Sequence, residues 1–338
     1  TERSFFKLYN NHNIDNKKKK VLKDVKSDGK ERPWREKKLK TLELAEIYDL
    51  LGLDSKAFRV KYCSCQLSFR VDNETGEKKL NSMMSCQVRL CPMCNWRRSL
   101  KIYGQVSKVM DKALENKEYR FLFLTLTCKN VEGKDLSKTI DKLFHAFNLL
   151  TKRKVVKQSI KGWFRALEVT HNLDEQSKSY NTYHPHFHII LMVNKSYFDD
   201  NRLYITQYEW TSLWKSCLKV EYTPIVHITS FKTKTKKETA KSVAEVAKYT
   251  VKDEDYLIPQ NKDLSKETVF ILDSALANRR LVAFGGEFRN IHRELNFDDA
   301  VDGDLVNTDN EDGELREDIK CHIEVYDWNV GYKQYFKR

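Results

Sequence analysis

The stretch YHPHFHII, residues 183–190, sets histidine and apolar residues in strict alternation. A period of two is the signature of a strand, so His184, His186 and His188 share one face while Pro185, Phe187 and Ile189 share the other. The apolar face predicts a buried strand, and the histidine face asks for a ligand. His186 and His188 stand about 7 Å apart along such a strand, within reach of one ion. Ahead of them runs GWFRALEVTHN (162–172), joined by the polar linker LDEQSKSYNTY (173–183), which together predict an antiparallel hairpin. Glu168 is the only carboxylate of that first strand, and a charge among apolar neighbours is costly unless paired or metal-bound. Glu168, His186 and His188 are therefore the expected ligands. Mixed imidazole and carboxylate donors suit Mn²⁺ or Mg²⁺. His171 is a rival ligand if the register shifts. His184 is expected to support the ligands or to meet DNA. The plainer alternative is three solvated histidines on an open sheet face.

Working outward, RFLFLTLTC (120–128) and IVHITSF (225–231) read as further strands. Helical spacing marks 41–53, 135–154 (capped by Asp135 or Ser137), 206–219 and 239–252. SKETVFILDSALANRRLVAF (265–284) begins as another helix, with Ser265 and Thr268 as an imperfect capping box. KYCSCQLSFR (61–70) reads as a strand, DNETGEKK as a turn, and CHIEVYDWNVGYKQYFKR at the end as β structure. The fold class is α+β: an antiparallel sheet of four or five strands with long helices packed on it. A cysteine-rich module precedes the first core strand. The expected divisions are a basic arm with a short helix (1–60), a zinc module (61–100), a catalytic core (101–297) and an acidic linker with a C-terminal β segment (298–338).

Five of the eight cysteines, Cys63, Cys65, Cys86, Cys91 and Cys94, crowd into one region ending in CPMC. A structural zinc takes four thiolates, so Cys86, Cys91 and Cys94 with either Cys63 or Cys65 form the expected set. A redox CxxC is the competing reading, weakened by the extra thiols and by Arg89, Arg97 and Arg98, which suit a DNA-facing zinc module. Cys128, Cys217 and Cys321 are read as ordinary core or surface thiols.

The net charge of +13 favours a polyanionic partner, and KKKK at 17–20 offers an arm for DNA phosphates. No apolar run approaches the roughly 20 residues that cross a bilayer, so no membrane role and a cytoplasmic location are expected. In AEVAKYTVKDEDY, Glu245, Tyr249 and Lys252 fall on one helical face. A tyrosine can attack a phosphodiester whose phosphate is polarised by a cation. Lys252 would hold the phenolate or the phosphate, and Glu245 would act as general base. Tyr256 is the second candidate nucleophile.

FLTLT (123–127), HPHFHIIL (184–191) and EVAKYTVK (245–252) follow in the order of three motifs of HUH endonucleases. The chain resembles the replication initiators of Gram-positive rolling-circle plasmids, in the single-tyrosine branch with a glutamate four residues before the tyrosine. The resemblance spans about residues 60–295. It implies an HUH fold, a catalytic divalent ion on the histidine–hydrophobic–histidine strand, and Tyr249 joined to the 5′ phosphate of nicked origin DNA. It further implies Glu245 activating water at termination. CQVRLCPMCNWRRSLK and the residues after Cys63 resemble the family too, which points to Cys63 as the first zinc ligand. Plasmid origin DNA, a host helicase and a host polymerase are the implied partners, and a dimer is allowed. Arg165 and His184 beside the ligand strands are expected DNA contacts. The rival readings are an HUH transposase or relaxase, and a zinc-containing DNA-binding regulator without catalysis.

Overall fold

The computed structural model describes residues 20–26, 28–231, 243–244, 250–299, 301–308 and 320–338. In chain order the elements are α1 (Trp34–Leu50), α2 (Asp54–Tyr62), β1 (Gln66–Asp72), β2 (Lys78–Met83), α3 (Pro92–Leu114), β3 (Tyr119–Thr127) and α4 (Gly133–Lys152). Then come α5 (Lys154–Ser159), β4 (Ile160–Asn172), β5 (Thr182–Asn194), α6 (Gln207–Leu218) and β6 (Val226–Ser230). The last are α7 (Lys262–Leu276), β7 (Val282–Gly286), α8 (Glu287–Glu294), β8 (Cys321–Asn329) and β9 (Gln334–Lys337). The fold is α+β, as expected.

The chain divides into two units. The larger comprises 37–63 and 85–312, and the smaller 1–36, 64–84 and 313–338. Residues 61–63 and 85–100 fall in the larger unit and 64–84 in the smaller.

In the larger unit the five strands run in the order β6-β3-β5-β4-β7, every neighbouring pair antiparallel. The β4–β5 hairpin pairs Glu168 with His186 and Ala166 with His188, and β3 sets Thr125 opposite His188. Directly opposed residues share a face, so alternation sorts the whole sheet. One face carries Phe121, Phe164, Ala166, Ile190, Met192 and Val282, buried beneath Ile102, Val106, Val109 and Met110 of α3 and Phe288 and Ile291 of α8. Further along that same face the apolar side chains give way to Glu168, His186 and His188. The opposite face is sealed by α4: Phe187 packs against Phe144 and Phe147, and Trp163 meets Phe147 edge-on. Gly286 closes β7 at φ 58°, and a Cβ there would strike the Lys161 carbonyl, so glycine alone lets α8 begin at once.

The smaller unit is a four-stranded antiparallel sheet, order β2-β1-β8-β9. Phe69 of β1 sits edge-on to both Trp34 and Tyr326, and the Trp34 indole donates to Asp24 across 2.6 Å. The C-terminal β segment therefore completes a sheet begun some 250 residues earlier rather than trailing the core.

Local expectations shift in three places. Residues 54–62 are helical, so the strand expected from 61 starts at Gln66. The α7 helix begins at Lys262 with Asn261 as its cap, its side-chain oxygen accepting from the Leu264 amide, and Ser265 lies inside it. The stretch expected as an acidic linker is packed over its described part, 298–299 and 301–308, where Val301, Leu305 and Thr308 are buried. Among the described residues no helix is long and apolar enough to cross a membrane.

Candidate metal centres

Period-two alternation on β5 and the register with β4 bring Glu168, His186 and His188 to one spot, their ligand atoms within 4.8 Å of one another. Glu168 Oε2 lies 2.8 Å from His188 Nε2 and 3.4 Å from His186 Nε2. His186 Nδ1 donates to the His184 carbonyl at 3.0 Å, which fixes its tautomer and turns Nε2 toward the site. His188 Nδ1 lies 3.4 Å from Thr125 Oγ1, and its ring stacks on Phe123. Burial would push the Glu168 carboxyl up, but hydrogen bonds from His186 and His188 and their charge hold it well below the usual carboxylate range. Glu168 is 7% exposed and His186 8%, too buried for a solvated polar surface. Two imidazoles and a carboxylate can hold a divalent ion, leaving positions for oxygen ligands. His184 stacks on His186 and supports it through its carbonyl. The rival His171 is engaged elsewhere: Nδ1 donates to the Asp255 carbonyl, Nε2 pairs with Asn181, and the ring stacks on Tyr183.

The second cluster gathers Cys63, Cys86, Cys91 and Cys94, all buried. Cys63 follows the end of α2, while Cys91 caps α3 and Cys94 sits in its first turn behind Pro92. The sulfur separations are 3.6 Å (Cys63–Cys94), 3.7 Å (Cys86–Cys94) and 3.7 Å (Cys63–Cys91). A tetrahedral zinc with bonds of about 2.3 Å requires edges of about 3.8 Å, so the four sulfurs fit one. Thiol hydrogen bonds from Cys86, Cys91 and Cys94 hold the Cys63 pKa well below that of a free cysteine. Buried Lys38 donates to the Cys63 carbonyl at 2.6 Å, bracing the backbone that carries that thiol. Thr41 Oγ1 lies 3.7 Å from Cys91 Sγ and accepts from the Met93 amide. Sequence reasoning missed Lys38, Thr41 and Thr125; only the threonine alternation in TLT hinted at the last. Cys65 belongs to the smaller unit, where its carbonyl accepts from Trp328. Ser64 at φ 54° breaks the strand alternation that would have made Cys63 and Cys65 equivalent. Cys128 and Cys217 are buried thiols, and burial pushes Cys128 up to about 12.

Three of the four arginines expected on DNA, Arg97, Arg98 and Arg165, are buried. Arg97 and Arg98 are fully buried. Arg97 donates to the carbonyls of Leu305 and Val306, and Arg98 to those of Val301, Val88 and Gln87 and to the Asn95 side chain. Their planar forks bind the acidic strap to α3, a use with the same sequence signature as phosphate binding. Arg165 is buried over Phe144, Phe147 and Phe187 and donates to the Arg280 carbonyl. Burial and nearby Arg280 lower its pKa to about 10. Arg89 is half-buried and donates to the Arg279 carbonyl.

Residues 77–336 match the family model described as replication protein. The chain belongs to that family. It is 42% identical to a "Protein rep" of Bacillus amyloliquefaciens, over 93% of this chain and 96% of the relative. It is 40% identical to a "Protein rep" of Streptococcus pneumoniae, over 94% and 95%. A "Protein rep" of a Bacillus species is 45% identical over 74% and 84%. No solved structure matches the chain. In this replication protein the expected Glu245 and Tyr249 lie outside the described residues, while Lys252 is exposed at the start of a single 3₁₀ turn. Thr250, the residue after Tyr249, is buried, and its carbonyl accepts from the Val169 amide across 2.7 Å. Val169 is the neighbour of Glu168. Tyr256 is fully buried, with its hydroxyl donated to the Leu90 carbonyl, which removes it as a nucleophile.

Proposed function

We propose that this replication protein initiates rolling-circle copying of a plasmid by nicking one strand of the double-strand origin. The observation that carries the reading is the Glu168–His186–His188 cluster on β4 and β5, with β4 hydrogen-bonded through Val169 to the residue after Tyr249. A purely DNA-binding regulator has no use for a buried carboxylate between two imidazoles.

Glu168, His186 and His188 would hold Mn²⁺ or Mg²⁺, and the bound ion supplies the charge that polarises the scissile phosphate. The Tyr249 oxygen attacks phosphorus, the bond to the 3′ oxygen breaks, and the phenolic proton is lost as the 3′ oxygen gains one. A free 3′ hydroxyl and a 5′-phosphotyrosyl link result. The link keeps the ester bond, so rejoining needs no ATP. Lys252 steadies the phenolate or the phosphate, and Glu245 takes the proton from water to hydrolyse the regenerated origin at termination. Cys63, Cys86, Cys91 and Cys94 would hold structural zinc. Lysine and arginine contacts to phosphate supply most of the affinity and weaken with salt. A host helicase and polymerase would extend the primer.

Incubation of an origin oligonucleotide with Mn²⁺ or Mg²⁺, resolved on a denaturing gel, tests this. Wild type should yield a covalent adduct and Tyr249→Phe none. An adduct formed by Tyr249→Phe would remove Tyr249 from the reaction.

A further inference from the structure

The residues after Tyr249 are tied to three separate parts of the larger unit. Thr250 accepts from Val169 on β4, and the Asp255 carbonyl accepts from His171, also on β4. Asp253 forms ion pairs with Lys37 and Lys40 of α1, each at 3.0 Å. Tyr256 reaches furthest. Its ring is completely buried and its hydroxyl donates to the carbonyl of Leu90, within the loop from Cys86 to Cys91. The same α1 helix braces the thiol cluster, since Thr41 lies against Cys91 and Lys38 holds the Cys63 carbonyl. Two independent routes therefore join segment 250–256 to the four-thiol cluster, one through Tyr256 and Leu90 and one through Asp253 and α1.

A buried phenol needs one partner for its hydroxyl, and many polar atoms would serve. Bonding a carbonyl in the thiol loop makes the segment's position depend on that loop. The loop's own conformation is set by Cys86 and Cys91, which bracket Leu90. Segment 250–256 is also short: at about 3.3 Å per residue its reach is limited, so a shift at Tyr256 is felt at Thr250.

We propose that Tyr256 is a positioning residue that makes the placement of segment 250–256, which directly follows Tyr249 in the chain, depend on the integrity of the four-thiol cluster. The proposal rests on Tyr249 as nucleophile. The cluster is then more than a staple for the fold. Its loss, by metal removal or thiol oxidation, disarms nicking while the five-stranded sheet stands.

The test compares full-length wild type with Tyr256→Phe, which keeps the ring and removes the hydroxyl that bonds Leu90. Hydrogen exchange, zinc content, and kcat and KM for origin nicking are measured with Mg²⁺ present. Zinc content should stay at the wild-type level, and exchange should quicken in 250–257 but not in β3, β4 or β5. The kcat should fall about 10-fold with KM unchanged, as expected for a misplaced nucleophile. Stripping thiol-bound metal from wild type with a phenanthroline chelator, Mg²⁺ restored, should quicken exchange in the same segment. Unchanged exchange in 250–257 under both treatments overturns the proposal, as does quickened exchange with an unaltered kcat. The exchange measurements do not depend on Tyr249. An adduct surviving Tyr249→Phe would instead strike the nucleophile reading, so the two failures are told apart.

Discussion

The amide of Val169 donates to the carbonyl of Thr250 across 2.7 Å, joining the strand that carries Glu168 to the residue that follows Tyr249. One bond thus links a candidate metal ligand's strand to the candidate nucleophile's segment. Strand β4 is fixed on the other side by its full pairing with β5, so Glu168 and Thr250 share a rigid reference. Chemistry that needs an ion and a nucleophile in register gains from such an arrangement.

His188→Ala should cost metal without costing the fold. The residue lies where the apolar face ends, and neighbouring Phe187, Ile189 and Ile190 keep their burial. Titration calorimetry should show Mn²⁺ affinity falling by about 100-fold or more, since one of three protein donors is gone. Origin nicking should fall with it. Unchanged Mn²⁺ binding would mean that the ion sits elsewhere.

Arg98→Ala should destabilise the protein by about 3–5 kcal/mol, because several buried carbonyls and the Gln87 and Asn95 side chains lose their donor. A phosphate contact behaves differently. Its loss lowers the slope of log affinity against log salt by about one. Denaturant titration should therefore show a large drop in midpoint, while the salt slope for origin binding stays at the wild-type value. A reduced slope with unchanged stability would restore Arg98 to the DNA surface.

These contrasts show which parts of the molecule were legible in sequence. The ligand strand was, because His186 and His188 alternate with buried Phe187 and Ile189, and strand alternation allows one arrangement. Glu168 was legible as a carboxylate too costly to bury for nothing. Arg97, Arg98 and Arg165 were not, because a guanidinium that braces carbonyls or lies on aromatic rings reads like one that grips phosphate. The smaller sheet was not legible either. Its β1–β8 pairing joins residues 66–72 to 321–327, and no local pattern encodes such a distance. Cys63 and Cys65 could not be separated by spacing, since the left-handed turn at Ser64 that distinguishes them leaves no mark in composition.

That turn yields its own test. Cys63→Ser should reduce bound zinc by at least half and Cys65→Ser should leave it stoichiometric, read by atomic absorption on purified protein. The Cys63 sulfur is within 3.7 Å of Cys91 and 3.6 Å of Cys94, and three thiolates bind zinc more weakly than four. Equal zinc in both variants would overturn the assignment.

Asp255 gives a pH signature of its own. Burial raises its carboxyl to about 6, and Oδ2 has no hydrogen-bond partner among the described residues. Below about pH 4 the group is protonated in folded and unfolded chains alike, and it costs nothing. As pH rises from about 4 to 6 the unfolded chain releases the proton first, so unfolding becomes easier. Above about 6 both forms are ionised and the cost is constant, about 1–2 kcal/mol after allowing for residual screening by water. Asp255→Asn removes the charge and with it the penalty. The variant should exceed wild type in stability by that amount at pH 7.5 and converge on it as pH falls toward 4.5, in paired urea titrations at the two values. A gap that stays constant between them, or a variant less stable at pH 7.5, would show that Asp255 is paired when ionised.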